Sequence, residues 1–226
     1  VARMLIQRYP HAKDYGMFVH LYAFLLQHWQ GHARGNNESY RLAHKLSLQN
    51  GNLIYAYHSI TALGINRLMI GDNLDEIMEE LERYEDMHKW VHDAFILSVH
   101  LENMQVCRCL KGLTKGRTDL DDQGFDTEGH FIQYRKTNNR LGIFYLSLKC
   151  MGLQYLFGEY SRAYKTGKEM AKIADVALAT PQIPEFYFYY ALSMSALHAS
   201  VTRTQRLVLR MKIKRCLWHG AVHPHV

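Results

Sequence analysis

Along most of the chain, apolar residues recur at three- and four-residue spacing, the period of an α-helix with one face turned to a core. Phe18, Val19, Leu21, Tyr22, Phe24, Leu25 and Leu26 lie in such a pattern, and it predicts a helix over 16–31 closed by His28, Trp29 and Gly31. Asn36 or Asn37 is placed to cap the next helix, which runs to Asn50 and stops at Gly51. Leu53 to Ile70 follows, ending at Gly71 and Asp72. Asn73 then opens an acidic helix. In it Asp75, Glu76, Glu79, Glu80, Glu82 and Glu85 surround Leu74, Ile77, Met78, Leu81 and Tyr84, and the acids of its first turn suit the positive end of the helix dipole. Further helices are predicted over 91–113, 127–138, 140–157, 160–178, 184–200 and 203–217, and Met4 to Tyr9 reads as the end of another. Residues 114–126 are the one long polar loop, and no segment alternates as a strand would.

The punctuation between helices repeats. Gly51-Asn-Leu, Gly71-Asp-Asn-Leu and Gly158-Glu-Tyr occupy the same grammatical place, a helix end followed by a short turn and a new helix. In 151–171 the order is most complete. Gly158 makes the turn, Tyr160 follows it, and Ala163 is small enough for two helix axes to approach. That is the grammar of a tetratricopeptide hairpin, with Leu63-Gly64 ahead of Gly71 fitting the contact pair. Repeat lengths vary, so the expected fold is all-α, an irregular tetratricopeptide-like superhelix of antiparallel hairpins, spanning 1–226 as a single domain.

Several motifs follow one another in order. They are Leu21-Tyr22-Ala23-Phe24 with His28-Trp29; Gly51-Asn52-Leu53 with Tyr55-Ala56; Gly124-Phe125-Asp126 with Glu128; and Phe157-Gly158-Glu159-Tyr160 with Ala163. Pro184-Glu185-Phe186-Tyr187-Phe188-Tyr189 and Trp218 with Pro224 complete the set. Together they resemble the tetratricopeptide-like helical region of large bacterial multidomain signalling ATPases. The resemblance implies flanking serine/threonine-kinase-like, nucleotide-binding and sensor histidine-kinase domains, with this chain a fragment of a larger protein. Gly167 departs from it, standing where such hairpins carry a larger residue, and is expected to weaken local helix packing.

Composition leaves that picture standing. Hydrophobic residues make up 48% and only 4 prolines occur, at Pro10, Pro181, Pro184 and Pro224, which suits a globular helical chain. Charge changes it locally. The 27 Lys and Arg include Arg203, Arg206, Arg210, Lys212, Lys214 and Arg215, with no acid in 201–226; removing those six leaves 21 basic residues against 21 acidic. A basic last helix beside a neutral body lacks the fold-wide groove of a nucleic-acid binder, although an RNA-binding α-solenoid using Arg203 to Arg215 is an alternative. The 4 cysteines, Cys107, Cys109, Cys150 and Cys216, do not make a disulfide framework in a chain of this length. No signal peptide and no apolar run of membrane-spanning length appear, so the expected setting is cytoplasmic.

Candidate chemistry is sparse. Thr166-Gly167-Lys168-Glu169 imitates a phosphate loop, but Arg162 stands where the first glycine is needed and Glu169 where a magnesium-binding hydroxyl is needed. His88, His92 and Asp93 are the best metal set, both histidines falling on one face if the segment is helical, with His58 and Asp72 as conceivable further ligands. They support a helical metal-dependent hydrolase as an alternative, but no complete ligand shell can be assembled, and no catalytic, cofactor or metal residue is assigned. The consecutive aromatics from Phe186 to Tyr190 beside Glu185 must mostly enter the core, leaving a tyrosine or two to line a groove. Trp29, Glu185, Tyr187 and Tyr189 are therefore the expected interaction residues, and Gly51, Gly71, Gly158, Tyr160 and Ala163 the hairpin-defining ones. The expected function is a non-catalytic protein-interaction and regulatory module, with a protein partner or the flanking domains of the same chain as its target.

Overall fold

The computed structural model describes residues 14–198 and 202–221; the segment from Met4 to Tyr9 lies outside them. Ten α-helices and no strand occur among the described residues: α1 Tyr15–Leu25, α2 Asn36–Gln49, α3 Leu53–Met69, α4 Leu74–Glu82, α5 Ala94–Leu110, α6 Thr127–Lys136, α7 Arg140–Leu156, α8 Tyr160–Met170, α9 Gln182–Leu197 and α10 Arg203–Ala221. Contacts divide the chain into two compact units, the first ending at Cys107 and the second beginning at Arg108. None of these helices is long and apolar enough to cross a membrane.

The first unit packs α1 against α2, α2 against α3 and α3 against α4; short turns join the last two pairs, and a longer connection with two 3-10 turns, Gln27–Trp29 and Ala33–Gly35, joins α1 to α2. Its core gathers Ala23, Tyr40, Ile60, Leu63, Ile77 and Leu81. The expected helix over 16–31 stops early, at Leu25, and a 3-10 turn Gln27–Trp29 follows. The reason is tertiary. The Ala23 carbonyl, which a continuing helix would use, accepts a hydrogen bond from the Asn36 amide at 3.2 Å. Asn36 and Asn37 thus do not cap α2. Both are buried, and Asn37 instead accepts from Asn66 Nδ2 at 2.7 Å. Asn52 and Asn73 do cap, each accepting backbone N–H bonds at the start of α3 and α4.

Arg67, near the end of α3, is 7% exposed and pairs with Asp72 at 2.9 Å, Glu76 at 2.9 Å and Glu80 at 2.7 Å. Glu80 also receives Arg41 of α2 at 3.0 Å. The acidic helix α4 is therefore fastened along its length by cations from two other helices. Its charge run is a structural device as well as a solvated face.

In the second unit α7 packs against α8, α9 against both, and α10 against α9. The turns carry the expected glycines: Gly51, Gly71 and Gly158 have φ of 70°, 75° and 85°. At Gly158 this left-handed conformation lets its N–H close on the Tyr155 carbonyl at 3.0 Å while Glu159 N–H closes on Gln154 at 2.8 Å, and α8 starts at once. Ala163 is fully buried and Tyr160 lies at the surface, 39% exposed. α8 ends at Met170 rather than 178, giving way to a 3-10 turn Ala174–Ala177 and to Ala179 at φ 67°.

Gly167 corrects an expectation. It does not weaken packing; a Cβ there would lie 2.4 Å from Tyr190 Cδ2 and 3.1 Å from Met151 Sδ. The Tyr190 ring needs that space because it is stacked between Phe186, at 5.6 Å, and Tyr164, at 5.9 Å. Gly167→Ala will destabilise the second unit by about 1 kcal/mol, as overpacking outweighs the gain in helix propensity. Chemical denaturation checks this, and a stabilised variant would refute the packing argument.

The 114–126 loop is ordered by its own carboxylates. Asp122 accepts from the N–H groups of Gly124 at 2.7 Å and Phe125 at 2.9 Å, and from Arg108 Nε at 3.0 Å. Asp121 accepts from the Thr127 N–H at 2.8 Å. The hydrogen bond from the Thr127 hydroxyl is the main reason its carboxyl is held below the ordinary carboxylate range. These acids close a loop over the buried Leu120 and Phe125.

Candidate interaction surface

The five aromatics at the start of α9 separate by helical angle. Phe186 and Tyr190 point into the core, at 0% and 6% exposure, while Phe188 stands 58% exposed. Tyr187 and Tyr189 are half-buried on different sides of the helix. Tyr187 packs on Phe186 at 4.9 Å and feels Cys216 and Arg215 of α10. Tyr189 turns to α7, with its ring 5.9 Å from Tyr155 and in contact range of the backbone at Gly152. The structure thus brings Glu185 and Tyr189 together and places Tyr187 elsewhere. Trp29 belongs to the first unit, half-buried against His28 at 5.5 Å.

What Glu185 and Tyr189 join is a surface that the sequence pattern did not group. Tyr160 stacks obliquely on Tyr155 at 5.4 Å, Tyr155 meets Tyr189, and Tyr189 meets Phe188 at 5.4 Å. Four rings from α7, the start of α8 and α9 form a ladder. The signal for it was available only indirectly. Tyr155 and Tyr160 flank the Gly158 turn, and it is the turn geometry that lays one ring on the other.

Glu185 sits behind this ladder. It retains partial solvent contact, yet the density of protein around it pushes its carboxyl up from 4.5 to about 7, opposed by the Lys149 ammonium on α7. Burial, with the Glu185 charge second, likewise pushes the Tyr189 hydroxyl up to about 12. Tyr189 is thus a neutral hydrogen-bonding group at any ordinary pH, while Glu185 changes charge near neutrality.

The metal candidates take other roles. Val91 to Asp93 is not helical, so His88, in the 3-10 turn Glu85–Lys89, and His92 do not share an α-helical face; the side chain of His88 lies outside the described residues. Asp93 caps α5, accepting from Phe95 and Ile96 N–H at 3.1 Å each, and its other oxygen meets His58 Nε2 at 3.1 Å. Burial raises this carboxyl, but the Ile96 N–H and the His58 hydrogen bond outweigh it and hold the group below its ordinary value. Asp72 is committed to Arg67. Among the described residues no three His, Cys, Asp or Glu side chains converge as metal ligands would. His20, beside Ser59 Oγ at 3.2 Å, is pushed down to about 3 by burial and by His58. The Ser59 hydroxyl donates to the Tyr55 carbonyl at 2.7 Å and is completely buried, so this Ser–His contact serves packing. The Gly167-Lys168 pair lies within α8, away from any strand-to-helix turn.

Compared with known proteins, the chain matches no family model, no curated protein and no solved structure.

Proposed function

We propose that the chain is a non-catalytic interaction module, a tetratricopeptide-like scaffold that docks a protein partner or the flanking domains of a larger signalling ATPase or kinase. The observation that carries this reading is the ladder of Tyr155, Tyr160, Tyr189 and Phe188. Rigid aromatic side chains held at a surface by stacked hairpins supply large contact area at low entropic cost, and tyrosine adds a hydroxyl for orientation. The hydrogen-bonding commitments of Asp93, Asp72, Asp121 and Asp122 favour the same reading, since each carboxylate builds a cap, a loop or an ion pair. The family assignment itself rests on the ordered motifs of the sequence.

A photo-crosslinking residue at position 188, introduced into the protein expressed in cells, tests this. One discrete adduct should form, identifiable by mass spectrometry as a partner protein or as a flanking domain, and Tyr160→Ser should abolish it. A hydrolase is the competing reading. Metal-dependent turnover of bis-p-nitrophenyl phosphate that disappears in Asp93→Asn and His58→Gln would overturn the scaffold reading.

A further inference from the structure

The last helix presents a second surface, of different chemistry. α10 packs on α9 through one narrow side, with Leu209 and Cys216 buried at 5% each. Its opposite side faces solvent, and there Leu207 is 63% and Met211 60% exposed, one turn apart. Arg203, Lys214 and Arg215 rim that pair, all exposed. Beside it Thr204 and Val208 of α10 form one wall of a cleft of ≈ 220 Å³ whose other wall is Tyr164 of α8 and Leu197 of α9. Lys212 reaches over the Tyr164 ring at 5.7 Å and donates to its hydroxyl at 3.3 Å, so cationic charge also borders the cleft. No acidic residue occurs anywhere in 201–226 to neutralise this surface.

We propose that this face of α10 docks an acidic amphipathic helix of a partner protein, whose apolar row covers Leu207 and Met211, whose one large anchor enters the Val208–Tyr164 cleft, and whose carboxylates meet the rim. The proposal rests on the scaffold reading above and names a partner chemistry for it. Three features select this occupant. Exposed leucine and methionine in the middle of the face gain nothing from phosphate, which disfavours nucleic acid as the occupant. The cleft is a recess sized for a side chain, whereas a bilayer surface would span it and leave it unfilled. The rim carries a single sign of charge, which attracts acidic partners and repels basic ones.

The test uses the purified chain and a fluorescent helical peptide of about five turns with leucine at i, i+4 and i+11, phenylalanine at i+7 as the anchor, glutamates flanking that row and alanine elsewhere. The peptide should bind, and raising salt from roughly 0.05 to 0.5 M should weaken it. Replacing its glutamates by glutamine should cost about tenfold or more. So should the surface variants Arg203→Glu/Lys214→Glu/Arg215→Glu and Leu207→Ser/Met211→Ser, whose retained helical circular dichroism excludes unfolding. An unbound peptide, unchanged affinity in both variants, or preferential binding to phosphatidylserine-containing vesicles or poly(U) overturns the proposal. If the position-188 adduct survives both α10 variants while the peptide fails to bind, this surface is refuted and the scaffold reading stands. If neither peptide nor adduct forms, both fall.

Discussion

Replacing Arg67 by methionine will destabilise the first unit by about 3–5 kcal/mol, because it removes a buried cation shared by three carboxylates. The guanidinium is the common partner of Asp72, Glu76 and Glu80 at 2.7–2.9 Å. The side chains of Asp72 and Glu80 are only 16% and 17% exposed, so water cannot fully replace the lost cation. Arg41 still reaches Glu80 at 3.0 Å and Arg34 lies 3.7 Å from Asp72, which holds the loss within the range of a buried-pair deletion although three carboxylates lose a partner. Urea unfolding followed by far-ultraviolet circular dichroism and by the fluorescence of Trp29, half-buried against His28, reads the loss. Arg83→Ala is the control. Its partner Glu79 is 3.2 Å away but both side chains are more than half exposed, at 62% and 76%, and the cost should stay within about 0.5 kcal/mol. Similar losses for the two variants would show that the Arg67 network is an ordinary surface ion pair.

Glu185→Gln will raise the melting temperature at pH 8 and leave it unchanged at pH 4. The folded carboxyl titrates at about 7 against an ordinary value of 4.5, so the native state holds its proton more tightly than the unfolded chain. The sign follows from that order. The stability contributed by this group is fully present below the unfolded value and is lost as pH rises through 7, where the burial of a charge must be met. A shift of this size corresponds to roughly 3 kcal/mol at most, or a melting-temperature gain in the glutamine variant of up to about 6–12 °C. Thermal unfolding across pH 4–8 should therefore give melting temperatures that converge near pH 4, separate between about 4.5 and 7 and differ by a constant amount above that, and curves that stay parallel throughout would remove the argument. Because Glu185 underlies the tyrosine ladder, partner binding there should also change between pH 6 and 8 in the wild-type protein and not in the variant.

Much of the fold is legible along the chain. The glycines at 51, 71 and 158 end helices because their positive φ is one that other residues adopt at a cost, and local chemistry alone announces that. Asn73 caps α4 for an equally local reason. Asn36 misleads because it lies inside the first turn of α2, with Gly35 at the cap position, and its side chain is directed to the Ala23 carbonyl of α1. Gly167 misleads in the opposite direction. Its propensity reads as a defect, while its role is to admit Tyr190, a residue 23 positions further on. The His88, His92 and Asp93 set depended on continuing a helix through a segment that instead turns, where Asp93 is claimed by two backbone N–H groups.

The interaction residues show the same division. Periodicity and composition establish an all-α chain of hairpins, a neutral body and a basic final helix, because these depend on the order of residues and on the helical repeat. They also single out the aromatic run of α9. Which of those rings meet Tyr155 and Tyr160, which side of α10 is left to solvent, and where a carboxyl is buried enough to hold its proton near neutrality were decided by tertiary packing. Stacking distances, exposure and desolvation are properties of neighbours brought together from far along the chain, and a linear pattern does not contain them.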